Sequence, residues 1–141
     1  MQVTCLAFFS CNTLRNCEIE PRTGIFSTER TQRYRLSITF PKAEITGIMI
    51  LRYSDGQWRG SLVNEFGVKA FDFIATSGKC RLMNTVAFID KWYIRRTIEN
   101  DLSYLLWQST ASGKRLEQAS EENTILYNDK RNIRYNFHKL N

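Results

Sequence analysis

Glu65 and Asp72 come closest to a chemically useful pair in this chain. They flank Gly67 in the segment Val63-Asn64-Glu65-Phe66-Gly67-Val68-Lys69-Ala70-Phe71-Asp72-Phe73. Acid–base chemistry needs two carboxyls held close, with pKa values driven apart by unequal surroundings. Seven residues of separation put them on neighbouring strands and allow opposite faces. The simpler reading is structural: Asn64 and Glu65 shape a turn around Gly67, and Asp72 holds that geometry or pairs with Lys69. Other nucleophiles lack partners. A serine or cysteine nucleophile needs a base within hydrogen-bond reach, and His138 is the only histidine. Lys114 follows Ser112-Gly113, but the earlier glycines of a phosphate loop are missing. Cys5, Cys11 and Cys17 are spaced six and six, which fits no zinc ribbon or finger. The residues therefore predict no catalytic site, no metal and no cofactor, and the chain reads as a non-enzyme.

The elements that position these residues belong to one domain. The chain has 141 residues, enough to bury roughly two thirds of the surface its unfolded form exposes. The formal charge is +6 and aromatic residues make up 13%. A basic balance permits an anionic partner without specifying one, and here bases and acids are interleaved along the chain.

Residues 1–10, MQVTCLAFFS, form an apolar run without an acid, followed by Cys11 and polar Asn12-Thr13. Two readings stand. In the first, Leu6 to Cys11 is the end of a truncated lipoprotein signal. Cys11 then carries the lipid, residues 12–22 are a polar tether, and the true start lies upstream. The run is too short to span a bilayer, which takes about 20 apolar residues. In the second, the run is a frayed or sheet-docked strand. Once the signal is cleaved, Cys17 and Cys80 remain, either as a pair in an oxidising compartment or with Cys80 as a small buried hydrophobe.

From residue 23 to 141 the chain reads as one antiparallel-sheet domain. Ser54-Asp55-Gly56-Gln57 sits between apolar-rich runs, and Asp-Gly there is a strong hairpin signal, because both central residues of a type I′ turn need positive φ. Residues 23–29 are a short strand candidate. Residues 32–40 alternate cleanly, with Tyr34, Leu36, Ile38 and Phe40 on one face and Arg33, Arg35, Ser37 and Thr39 on the other. Residues 45–53 are apolar on both faces at their middle, the mark of a strand covered on both sides or of one whose second face meets something other than water. Residues 58–66, 68–76 and 80–86 follow, then 115–120, 124–127 and 132–137, the last two as a hairpin. Gly47, Gly60 and Gly67 mark bends or close approaches. One helix, residues 91–107, carries Ile94, Ile98, Leu102 and Leu105 on an apolar stripe, with Asp90 expected as its cap. These elements predict a mainly β fold. It is a curved antiparallel sheet, an incomplete barrel, of about seven to nine strands, with the amphipathic helix packed on its concave face.

Ile45-Thr46-Gly47-Ile48-Met49-Ile50, the segment 63–73 quoted above, and Ile98-Glu99-Asn100-Asp101-Leu102-Ser103-Tyr104-Leu105-Leu106 together resemble a family of small uncharacterised lipoproteins of the Bacteroidetes type. That family is in turn distantly similar to the outer-membrane lipoprotein-sorting folds, where an incomplete barrel is closed by helices over an apolar cavity. The resemblance covers residues 23–137 and brings no catalytic residues with it. It implies a lipid-anchored protein of the cell envelope, on the outer membrane facing the periplasm.

The leading functional expectation is a non-enzymatic envelope lipoprotein that binds or handles an apolar ligand such as a lipid or acyl chain. Its pocket would be lined by Met49, Leu51, Trp58, Phe66, Phe71, Phe73, Ile98 and Leu102, since ligand pockets are mostly apolar. The alternative is a structural or protein-interaction module of the envelope, in which those aromatics are plain core. Arg33, Arg35, Arg52 and Arg59, interleaved with Tyr34, Tyr53 and Trp58, have the look of a single-strand stacking platform. The basic and aromatic residues do not share one face consistently, so no nucleic acid is expected, and a band facing anionic lipid headgroups is the more natural reading.

Overall fold

The computed structural model describes residues 19–140. Residues 1–10, the lipid-attachment candidate Cys11, and Cys17 lie outside them. Eight strands form one antiparallel sheet: β1 (Gln32–Phe40), β2 (Ala43–Ser54), β3 (Gln57–Val63), β4 (Lys69–Thr76), β5 (Lys79–Met83), β6 (Lys114–Gln118), β7 (Asn123–Asn128) and β8 (Ile133–Lys139). Their spatial order is β5-β4-β3-β2-β1-β8-β7-β6, so β8 pairs with β1 and the sheet is two meanders joined at their first and last strands. The sheet curves into a half-barrel, and α1 (Trp92–Leu106), the single helix among the described residues, joins β5 to β6 and packs on it.

Alternation decides which face is core. Tyr34, Leu36 and Ile38 on β1, Met49 and Leu51 on β2, Leu62 on β3 and Tyr135 and Phe137 on β8 are buried. They meet Ile98, Leu102, Leu105 and Leu106 of α1 in one cluster. The Asp-Gly turn forms as its sequence predicts, with φ of 55° at Asp55 and 76° at Gly56. Gly60 is required by close approach: a Cβ there would lie 2.5 Å from the Phe73 ring and 2.6 Å from the Ile50 carbonyl oxygen.

Four expectations are corrected. Residues 23–29 are turns and bends, not a strand. They deliver Phe26 into the core, where its ring meets Tyr34, Trp58 and Phe137 at centroid distances of 5.5, 6.1 and 6.4 Å. The tether does not extend through Arg22. Pro21 bridges Trp107, and the Arg22 guanidinium donates to the carbonyls of Tyr104, Leu105 and Trp107 at 2.9, 2.8 and 3.1 Å. A helix ends with unpaired carbonyls and partial negative charge, so a cation from elsewhere in the chain supplies the missing cap. Asp90 does not cap α1. The N-cap is Lys91, without a side-chain hydrogen bond, because Asp90 lies one residue too early and instead accepts from Arg95 Nη1 at 2.8 Å. Finally, β2 is covered on one side only: Ile50 on its outer face is 38% exposed.

Candidate functional site

Antiparallel pairing brings the end of β1 beside the start of β2, and likewise for β3 and β4 and for β7 and β8. These three turns therefore share one rim of the half-barrel, and the segment leading from β5 into α1 begins at the same rim. That rim carries Phe66, Val68, Phe88, Trp92 and Tyr93, all exposed. Large apolar side chains left in water at one place are a sign of contact with something else.

Phe66 is held outward by its turn. The Asn64 side-chain oxygen accepts from the backbone N–H groups of Phe66 and Val68, both at 2.9 Å. The Asn64 N–H donates to the Val68 carbonyl at 2.8 Å, and Gly67 takes φ of 82°. Beside this turn lies a groove of about 500 Å³, lined on its apolar side by Ala43, Ile45, Phe66, Val68, Val86 and Phe88. Phe88 is steadied from below by the edge of the Phe40 ring, 5.5 Å away. A rigid turn loses little entropy when it binds, which is the physical value of fixing Phe66 in advance.

Seven of the eight pocket-lining candidates, Met49, Leu51, Trp58, Phe71, Phe73, Ile98 and Leu102, are brought together beneath the helix, but as packed core with at most 1% exposure. Phe26 closes against them. Phe66 is separated from the other seven: it is 82% exposed. The reason is local. The register shifts between Leu62 and Val63, β3 ends at Val63, and strand alternation no longer governs where Phe66 points. The Trp58 and Trp107 indole N–H groups are buried without an acceptor among the described residues.

Glu65 and Asp72 are not joined. Asp72 accepts from Ser61 Oγ, from Lys69 Nζ at 3.1 Å and from Asn84 Nδ2 at 2.7 Å. Burial alone would raise its pKa, but these hydrogen bonds and the Lys69 charge hold it below the ordinary carboxylate value. Glu65 is exposed on the turn. Both the Lys69 pairing and the turn role of Asn64 are as the sequence predicts. Cys80 is buried on β5, its thiol pushed up to about 12 by burial and by nearby Glu99.

A different carboxylate is central to the architecture. Asp101 on α1 is wholly buried. Its Oδ1 accepts from Asn128 Nδ2 at 2.9 Å and faces Lys114 Nζ at 3.2 Å, and its Oδ2 accepts from the Tyr135 hydroxyl at 2.6 Å. The helix is thus pinned to β6, β7 and β8 at once. Burial first, and then the Asp101 charge and hydrogen bond, push the Tyr135 hydroxyl well above its ordinary pKa. The place of Asp101 beside the apolar stripe of α1 was the signal that could have found this site. Arg22 and Phe26 had no comparable signal.

Arg33, Arg35, Arg52 and Arg59 do share the outer face of the sheet, whereas Tyr34 and Trp58 are buried on the inner one. The interleaving seen along the chain is split onto opposite faces, so these residues make no stacking platform. Among the described residues no cluster of three or more metal-ligating side chains occurs, and no helix is long and apolar enough to cross a membrane. No family model matches the chain, and no curated protein matches it.

Proposed function

We propose that this protein is a non-enzymatic envelope lipoprotein that binds an apolar ligand such as a lipid acyl chain, and that the ligand lies in the rim groove beside Phe66. The observation that carries this reading is Phe66 itself: a phenyl ring 82% exposed on a hydrogen-bonded turn, beside a groove of about 500 Å³. Pockets for small ligands run from roughly 300 to 1,000 Å³ and are mostly apolar, with a few polar groups. Glu44, Asn64 and Lys69 supply those polar groups here. The space beneath the helix is filled by the core and by Phe26, which favours the rim over the interior as the ligand's place. The resemblance of residues 23–137 to envelope lipoproteins supports the cellular setting. In that setting Cys11 carries the lipid and the protein sits on the outer membrane facing the periplasm.

The test is titration of a fluorescent fatty acyl probe, together with mass spectrometry of lipid extracted from protein purified from its native envelope. Micromolar binding corresponds to about −8 kcal/mol. Probe binding that is lost in Phe66→Ser supports the reading. A folded protein that neither retains lipid nor binds the probe defeats it. The alternative, an envelope protein-interaction module, then takes its place, with Phe66 and Phe88 as anchors for a partner's apolar side chain.

A further inference from the structure

The outer face of the sheet holds a second surface, made by strand register. Arg81 on β5 opposes Ile74 on β4, Ile74 opposes Arg59 on β3, and Arg59 opposes Arg52 on β2. Four strands thus contribute one row with three arginines. The adjoining row runs Met83, Asp72, Ser61, Ile50 and Arg33, and Arg35 follows two residues along β1. Directly opposed side chains in an antiparallel pair have Cβ atoms about 4.5–5.5 Å apart, and like charges there are destabilising.

Arg52 and Arg59 are such a pair. Both are exposed, and among the described residues neither side chain has an ion-pair or hydrogen-bond partner. The acids nearby do not relieve them. Asp72 is already committed to Lys69, Ser61 and Asn84, and Asp55 on the β2–β3 turn makes no ion pair with either. An anion shared between the two guanidiniums would turn the repulsion into attraction, and arginine's planar fork suits phosphate oxygens.

We propose that this convex arginine face docks on an anionic phospholipid surface. Arg52, Arg59 and Arg81 take headgroup phosphates, and Ile50 and Ile74, set between them, meet the headgroup boundary. Charge complementarity selects the partner's sign. The absence of any aromatic ring from the two rows leaves nothing for nucleic-acid bases to stack on, whereas cations alternating with aliphatic side chains suit a lipid interface. The surface is separate from the Phe66 groove, so it stands or falls independently of the acyl-binding reading.

The experiment is co-sedimentation of the full chain with phosphatidylcholine vesicles, with and without phosphatidylglycerol. Wild type is expected to bind only the anionic vesicles and to be released by salt. Arg52→Gln/Arg59→Gln should weaken that binding by roughly thirtyfold, at roughly fivefold per arginine, while melting at the same temperature as wild type or higher. Arg81→Gln, at the sheet edge, should weaken it by roughly fivefold. Lys130→Gln/Arg131→Gln removes the same charge from the far rim and should leave binding intact. Equal loss in that control would show a net-charge effect and overturn the proposal. So would equal binding to vesicles without phosphatidylglycerol, no binding at low salt, or displacement of the protein from vesicles by a short acidic peptide or oligonucleotide.

Discussion

The Tyr135 hydroxyl on β8 donates to Asp101 Oδ2 on α1 at 2.6 Å, inside the core. This bond joins the last strand of the chain to its only described helix. Along with Asn128 and Lys114, it gives a buried carboxylate a full set of partners, which is the condition for tolerating such a charge. Tyr135→Phe leaves one lobe of that carboxylate unpaired and is expected to cost about 1–3 kcal/mol in urea unfolding. Asp101→Ala strands Lys114 and Asn128 and is expected to cost about 3–5 kcal/mol. Costs under about 0.5 kcal/mol for both would mean the network does not hold the helix.

The apolar stripe of α1 is core. Ile98→Ala or Leu102→Ala should each lower stability by about 2–5 kcal/mol. A measured loss below about 1 kcal/mol would be incompatible with their burial against the sheet.

Substitution of Phe66 is expected to separate binding from folding. Phe66→Ser should change stability by no more than about 0.5 kcal/mol, because its ring is already in water, yet remove acyl-probe binding. Met49→Lys and Leu51→Lys should instead unfold the domain, since both side chains are wholly buried and an unpaired interior charge is costly. If Met49→Lys stays folded and loses only the probe, the site lies beneath the helix after all.

Arg22 ties the lead-in segment to the end of α1. Arg22→Ala removes three hydrogen bonds to carbonyls at the helix end, those of Tyr104, Leu105 and the C-cap Trp107, and should cost about 1.5–3 kcal/mol. Hydrogen exchange should show faster opening of the last helical turn and of residues 20–22. An unchanged exchange pattern would mean the cap is dispensable.

Stability should fall in alkali. Burial raises Cys80 from 9.0 to about 12 and Tyr34 from 10.0 to about 12, and it raises Tyr135 well above its ordinary value. The unfolded chain loses these protons first, so it binds fewer protons than the native state in that range. The stabilisation is complete below about pH 9 and is lost as pH rises from about 9 to 12. Urea midpoints that stay level from about pH 9 to pH 11 would contradict this.

Local chemistry was enough to read much of the fold. Period-two alternation in residues 32–40 assigned Tyr34, Leu36 and Ile38 to the interior, and Asp55-Gly56 fixed a hairpin through its φ requirement. The stripe of Ile98, Leu102 and Leu105 set the buried face of the one helix. These features depend on neighbours a few residues apart, and such short-range geometry is written in the sequence. Tertiary structure decided what depends on distant partners. Phe26 is core because Tyr34, Trp58 and Phe137 surround it, although its own segment is irregular. Arg22 caps a helix more than eighty residues away, and Asp101 is satisfied by side chains from three later strands. Phe66 looked like one more core aromatic until the end of β3 and the Asn64 turn placed it in solvent. That change of place moves the candidate site from beneath the helix to the rim. Alternation gives a side chain's direction only while the strand lasts, and where the strand stops is settled by register with its neighbour.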